Sequence, residues 1–574
     1  MTSYAEPQNP VRSTARLPGW RIALLISLLI SLVIIAPFFR LGTATGQDFL
    51  FHASSWMDAA GQWKEGILFP RWTEWANLGF GEPRFIFYPP FSWMLGAALG
   101  SVLPWNAVPA VFIVLVQTFA GLSAFFLARR FLPERAALFC VACYAANPYA
   151  LLIIYLRSDF AELLANAFFP LLFLAALQIC GLPEIQERPR DTAACRNIVC
   201  FAAVLAAIWL SDAPAGVIAV YSSAGVFSLA GCTRLSWQPL LRGGAGMALA
   251  LGLAGFYLVP AAYEQRWVNI AEALSPGLVP SENFLFTVIN DPEHTIFNWI
   301  ASSLAVLLVI LTGFAAVAAH RARRDGQEAF ENRAWQMLVF LAGLSTLLML
   351  RFSDIFWEIL PKLRFVQFPW RWMSVLGAPL AVFLGGAMAR KRWGWVWAVA
   401  TFALLGATGA GLVHQGWWTK NDINILRQEI AQGEGFEGTY EYDPAGDDHT
   451  NIPLAKAPEV QVMDTDSTPG PNTAPQIQVE RWSPEEKEVT VKTQDPFALG
   501  LRLLNYPAWQ VKVNGAVVTP LDGEDFNQML VPLNAGLSHI QVRFRRTWDR
   551  TLGGLLSLVS VLLMLWLFRR RATG

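Results

Sequence analysis

Apolar runs of about 20 residues recur over 20–412 and again at 551–568, most of them long enough to cross the roughly 30 Å hydrocarbon layer of a bilayer as a helix, with 197–210 short for a span. They lie near 20–38, 108–128, 136–154, 160–180, 197–210, 214–231, 240–262, 296–319, 334–350, 373–388, 393–412 and 551–568. Backbone inside lipid has to satisfy its own hydrogen bonds, so such runs become helices. The sequence predicts a polytopic α-helical membrane protein of about 12 or 13 spans. The count turns on 86–103, which opens with Tyr88-Pro89-Pro90 and is read as re-entrant or interfacial.

Charge supports the same class. Only 15% of the 574 residues are charged and 54% are hydrophobic, against about 25% charged in soluble domains. A soluble enzyme, a disordered chain and a nucleic-acid binder are excluded as whole-chain readings. The 43 basic and 43 acidic residues cancel, but unevenly: 413–550 holds 20 acids and 12 bases, leaving the rest with a basic excess. Basic clusters at Arg12/Arg16/Arg21, Arg129/Arg130/Arg135, Arg188/Arg190/Arg196, Arg234/Arg242, Arg321/Arg323/Arg324, Arg390/Lys391/Arg392 and Arg569/Arg570/Arg571 mark cytoplasmic loops by the positive-inside rule. Twelve crossings then leave both termini in the cytoplasm. The start imitates a signal peptide, but Phe38-Phe39-Arg40 lacks a small-residue cleavage pattern, so an uncleaved first helix is expected. Cys140 and Cys143 form a C-x-x-C within an apolar run and read as helix filler.

With that orientation, polar residues outside the basic clusters gather on the outer face. The first outer loop, about 39–107, carries Asp48 and His52; the second carries Arg157, Asp159 and Glu162. Asp212, then Arg266, then Arg364, Trp370 and Arg371 follow in the next three. Ionisable groups at membrane depth are costly and mark sites. Asp48 and His52, spaced i,i+4, share a helix face if that segment is helical. The Asp48 carboxylate suits a general base. Asp159 and Glu162 suit an acceptor, or a divalent cation such as Mg or Mn held together with Asp48. Arg364 and Arg371 flank an aromatic run and suit bidentate grip of a phosphate, while Trp370 suits a lipid chain. Plainer readings stand beside these: Asp48 and Asp212 as helix caps, Asp159 and Glu162 as a local ion pair with Arg157, Trp370 as an interface anchor. Asp291, Glu293 and His294 form a trio that suits a metal or simple loop exposure.

Gly46-x-Asp48-Phe49-x-x-His52 after a first helix resembles the GT-C superfamily of membrane glycosyltransferases. Tyr155–Glu162 (YLRSDFAE), Arg364–Trp372 (RFVQFPWRW), Asn505–Trp509 (NYPAW) and Val511–Gly515 (VKVNG) resemble, more narrowly, the bacterial membrane proteins labelled 6-pyruvoyl-tetrahydropterin synthase-related and the YfhO-like group. The GT-C resemblance implies inverting transfer from a polyprenyl-phosphate sugar to an envelope glycan or lipid, on the periplasmic or extracellular face of a bacterial inner membrane. It implies Asp48 as base or acceptor-binding residue and Asp159 or Glu162 as the second acidic position. Arg364 and Arg371 are candidates for the donor phosphate, and His52, Arg157, Arg266 and Trp370 for substrate contact. No cofactor is implied with certainty, and no nucleic-acid partner. The competing reading is a non-catalytic transporter, flippase or scaffold for lipid-linked glycans.

The expected organisation is a transmembrane domain over 1–412, an acidic linker over 413–475, and a β-sandwich over 476–550. A last helix with a basic tail fills 551–574. The sandwich rests on alternating segments such as Val489–Lys492 and His539–Phe544, with Asn514-Gly515 as a hairpin turn. Gly438–Tyr442 is a candidate to lie over the site.

Overall fold

The computed structural model describes residues 18–182, 190–324, 332–389, 394–446, 449–453, 456–463 and 474–569. Arg12, Arg16, Arg188, Arg390, Lys391, Arg392, Arg570 and Arg571 of the basic clusters lie outside the described residues. Among the described residues, 10 helices are long and apolar enough to cross a membrane, or up to 12 when each of two bent pairs counts as one span. The bundle is centred on Glu134–Arg157 and Pro369–Met388, the most enclosed of these helices, while Trp548–Arg569 lies mostly open at the periphery.

One expected plain span, 240–262, is broken: Gln238–Leu253 meets Gly255–Trp267 at 76°. The helix of the expected span 334–350 is continuous, and a bend of 92° follows it, where Arg333–Leu348 meets Arg351–Ile359. The first break has a visible cause in side-chain size. Gly255 and Gly553 touch backbone to backbone, and a Cβ on Gly553 would lie 2.5 Å from the Gly255 carbonyl oxygen. Such small-residue crossings let helices approach closely. The element at 86–103 is a helix of 13 residues, Pro90–Val102, about 20 Å long and too short to span. It lies against the helix Phe49–Lys64, where Gly96 leaves room for the Trp56 ring.

The outer domain is a sandwich of two antiparallel sheets. One runs in the order Val460–Met463, Phe497–Leu504, Gln528–Leu533, Leu521–Asp522. The other runs Gln476–Ser483, Glu486–Thr493, Gly536–Phe544, Trp509–Val513, Ala516–Val518. Alternation puts Val489, Val491, Leu499, Leu501, Ile540 and Val542 in the shared core. Asn514 and Gly515 both take positive φ (51° and 84°) between the paired Val513 and Ala516, as a primed hairpin turn requires. One strand, Val460–Met463, comes from the stretch expected as linker, which also folds the helix Asp422–Gln432.

One buried ionic cluster fastens this domain to the membrane body, and a second holds the segment that precedes the domain. Glu264, at the end of the first bent pair, receives Arg550 Nε and Nη2, each at 2.7 Å, and the Tyr506 hydroxyl at 2.6 Å. Glu82 receives Arg84 Nε at 2.5 Å and the Thr439 amide at 2.7 Å, and Asn77 donates to Asp443 at 2.6 Å. The second cluster draws residues 436–443 across the first outer loop.

Candidate active site

The site is assembled by the way the first outer loop docks on the end of the third span. That span finishes in a π-turn, Ile153–Arg157, followed by Ser158 at φ 53°. The wide turn swings Arg157 inward and exposes backbone acceptors. Gly46 packs onto them: a Cβ there would sit 2.2 Å from the Leu156 oxygen. The Gly46 amide donates to Ser158 Oγ at 2.9 Å, and the Asp48 amide to the Arg157 carbonyl at 2.8 Å. The glycine of the Gly-x-Asp pattern thus sets the approach, and the approach puts Asp48 beside Arg157.

Arg157 is then shared among three carboxylates. Its Nη2 lies 2.7 Å from Asp48 Oδ2 and 3.1 Å from Asp159 Oδ2, and its Nη1 lies 2.5 Å from Glu162 Oε2. Arg371 adds a second cation, with Nε 3.1 Å from Glu162 Oε2 and Nη2 3.5 Å from Asp159 Oδ2. Tyr149 donates to Glu162 from behind. His52 is buried against Phe160 and Tyr88, its Nε2 3.5 Å from Asp159 Oδ1. Asp159 pairs with Arg157 as the plainer reading had it, and it also caps its own helix by accepting from the Glu162 amide at 2.9 Å. Asp48 stands at a helix start without making a side-chain cap, and its side chain keeps 36% of its surface open.

Asp48, Arg157, Asp159, Asp212, Arg371 and Glu441 face one cavity of about 550 Å³, with Phe368 and Trp370 on its wall. Trp370 stacks on Phe368 at 4.9 Å, and both guanidiniums lie over the Phe368 ring. Thr439, Glu441 and Tyr442 come from the segment held by the Glu82–Arg84 cluster, so part of the presumed linker does line the site. Glu162 is not on the cavity; it anchors the arginines from below.

Two expected residues are elsewhere. Arg364 is 46% exposed and 3.9 Å from Glu358. The chain reverses between it and Arg371 at Gln367, whose φ is 65°, so the two arginines point to different sides. Arg266 is exposed and stacked on Tyr263 at 3.9 Å. Asp212, Glu441, Gln367 and Tyr149 complete the site. Asp212 carried a signal: Ser158-Asp159 and Ser211-Asp212 both open a helix, and Asp212 caps Ala215 at 2.8 Å. Tyr149 and Gln367 had none.

The expected metal ligands do not form a metal site. Among the described residues no group of three or more His, Cys, Asp and Glu side chains is arranged to hold an ion. Asp48, Asp159 and Glu162 converge on a guanidinium instead. His294 is bonded through Nε2 to Asn283 at 2.7 Å, and Asp291 caps the amides of Glu293 and His294, so that trio does not converge either.

The electrostatics separate the carboxyls. Burial favours the protonated form of Asp159, but Arg157 overrides it and holds the carboxyl well below the usual range. For Asp212 burial wins: aided by the Asp159 charge and opposed only in part by Arg371, it pushes the carboxyl up to about 7. Glu441 is pushed up to about 7 by burial and the charge of Glu82. Burial also raises Asp48, against the pull of Arg157. Because the folded pKa of Asp212 lies above its ordinary value, Asp212 lowers stability progressively as pH rises from about 4 to 7. Asp212→Asn keeps the cap and removes that cost. Melting curves should coincide near pH 4 and separate by up to about 4 kcal/mol in the variant's favour above pH 7.

No family model matches the chain, and the search of curated proteins gives no match; the narrower YfhO-like resemblance gains no support. Among solved structures, the chain is similar to ArnT from Cupriavidus metallidurans bound to undecaprenyl phosphate. The two are 13% identical with a TM-score of 0.44, over 72% of this chain and 73% of that one. It is also similar to the Archaeoglobus fulgidus oligosaccharyltransferase AglB in complex with an inhibitory peptide and a dolichol-phosphate. Here the identity is 15% and the TM-score 0.39, over 73% of this chain but 56% of that one. At these scores the likeness transfers no residue role.

Proposed function

We propose that the chain is a membrane glycosyltransferase that moves a sugar from a polyprenyl-phosphate donor to a glycan or lipid acceptor at the outer face. The observation that carries this reading is the cavity in which Asp48, partly open, stands beside Arg157, with Arg371 on the same wall and both arginines fixed by buried acids. Asp48 takes the proton of an acceptor hydroxyl as that oxygen bonds to the anomeric carbon. The bond from that carbon to the phosphate oxygen breaks, and polyprenyl phosphate leaves with the electron pair. Arg157 and Arg371 face the cavity with fixed positive charge, suited to the phosphate as its charge develops. Phe368 and Trp370 offer an apolar wall to the first isoprene units. Arg157 supplies cationic charge where the sequence suggested a divalent ion, so the reading routes nothing through a metal. Undecaprenyl phosphate in ArnT and dolichol-phosphate in AglB are ligands of the proposed donor class.

The test is turnover by the purified full chain with a panel of polyprenyl-phosphate hexoses and pentoses and an envelope lipid extract as acceptor. Release of polyprenyl phosphate, unaffected by a chelator, is expected. No release from any donor, with flux of intact donor across vesicles instead, would establish the transporter reading. That alternative draws on the two broken helix pairs, since interrupted helices mark transporter sites. Here, however, the charged cluster sits at helix ends and outside both breaks.

A further inference from the structure

A second cavity, of about 740 Å³, is lined by Phe49, the residue next to Asp48, and by the spans Gly19–Leu41 and Trp105–Ala128. Its long wall is apolar: Leu32, Ile35, Phe38, Val111, Val114 and Leu115. Leu32 is 45% and Leu115 48% exposed, so this wall runs without interruption into the lipid-facing surface of the two helices. Its outer end is polar. Thr43 and Thr419, paired as a short two-stranded bridge, meet Asn106, Lys420 and Asp422 there. Asp422 is engaged by the Thr419 hydroxyl at 2.8 Å. Lys420 is exposed and forms no ion pair with any described residue. The groove therefore combines an apolar slot at bilayer depth with an exposed lysine at the interface, whose neighbour Asp422 is turned to the Thr419 hydroxyl.

We propose that this groove holds one anionic phospholipid of the outer leaflet, an acyl chain along the Leu32–Leu115 wall and the phosphate at Lys420. An apolar slot open to the bilayer is filled by hydrocarbon more favourably than by water, and a lysine at the interface selects an anionic head group. Continuity of the wall with the lipid-facing surface favours a lipid over a protein segment. The site is separate from the cavity around Arg157 and stands whether or not the transferase reading does. Through Phe49 and the Thr43–Ala44 strap, the bound lipid supports the turn that carries Asp48.

Native mass spectrometry of the full chain, titrated with phosphatidylglycerol, phosphatidylcholine or undecaprenyl phosphate, tests this. One phosphatidylglycerol should be retained, about fivefold more tightly than phosphatidylcholine. Lys420→Gln, an exposed change that leaves the fold intact, should abolish the preference. Val111→Trp, which fills the slot, should weaken retention at least tenfold with an unchanged melting temperature. An unchanged preference in Lys420→Gln overturns the proposal, as does equal retention in a folded Val111→Trp protein. Displacement of phosphatidylglycerol by undecaprenyl phosphate at equal or lower concentration also overturns it, because the groove is then a carrier-lipid site.

Discussion

Asp48→Asn should reduce transfer by about 10²–10⁴-fold, the range lost when a positioned general base is removed, while the protein stays folded. Among the described residues the carboxylate is paired with Arg157, and its side chain is 36% open. Arg157 keeps its ion pairs to the buried Asp159 and Glu162 in the variant, so the melting temperature should move little. Asn is isosteric and can still accept from Arg157, so cavity shape and donor binding should be kept. The measurement is kcat and KM for release of polyprenyl phosphate, with melting in detergent as the control. The expected pattern is a fall in kcat with little change in KM for the donor. Turnover within a few-fold of the parent chain would remove Asp48 from the reaction and leave it a strap residue.

Arg157→Ala should act in the opposite way, on the fold first. Arg157 neutralises Asp159 and Glu162, which are both buried, in addition to Asp48. Removing one partner from a buried ion cluster leaves uncompensated charge and costs about 3–5 kcal/mol. Arg371 softens the loss, since it also touches both acids. The pH dependence has a definite sign. The Asp159 carboxyl is held below its ordinary value, so its contribution is present above the ordinary carboxylate range and is lost as pH falls through its folded value. In the variant that contribution is gone, so the deficit should be largest above about pH 5 and shrink in acid as the orphaned carboxylates take up protons. Thermal unfolding of both proteins from pH 4 to 8 checks this. A constant deficit across that range would mean that Arg157 acts by packing over Phe368 and Trp370 rather than by charge.

The fold was legible in the sequence where one local property decides it. Runs of about 20 apolar residues specify helices without reference to any neighbour, because lipid offers the backbone no other partner. Alternation and the Asn514-Gly515 turn did the same for the outer sandwich. The bends at 76° and 92° were not legible, because hydropathy is blind to direction. The close contact of Gly255 with Gly553 joins residues about 300 apart. Val460–Met463 was missed because four residues are too few to show a period.

The site divides in the same way. Asp48, Arg157, Asp159, Glu162 and Arg371 stood out because charge beside apolar runs is costly and therefore visible. Sequence alone predicts one side of the membrane for them, from the distribution of basic loops. It did not say which of them share a guanidinium, that Glu162 supports from behind, or that Arg364 turns outward at Gln367. Those outcomes depend on a π-turn, a glycine pressed to 2.2 Å of a carbonyl oxygen and a positive φ. Each is a matter of ångströms between segments distant in the chain. One-dimensional chemistry determined the class of protein and the residues worth watching. Only the packing of helix ends decided that the carboxylates surround an arginine, since which charges meet is fixed by backbone geometry and not by composition.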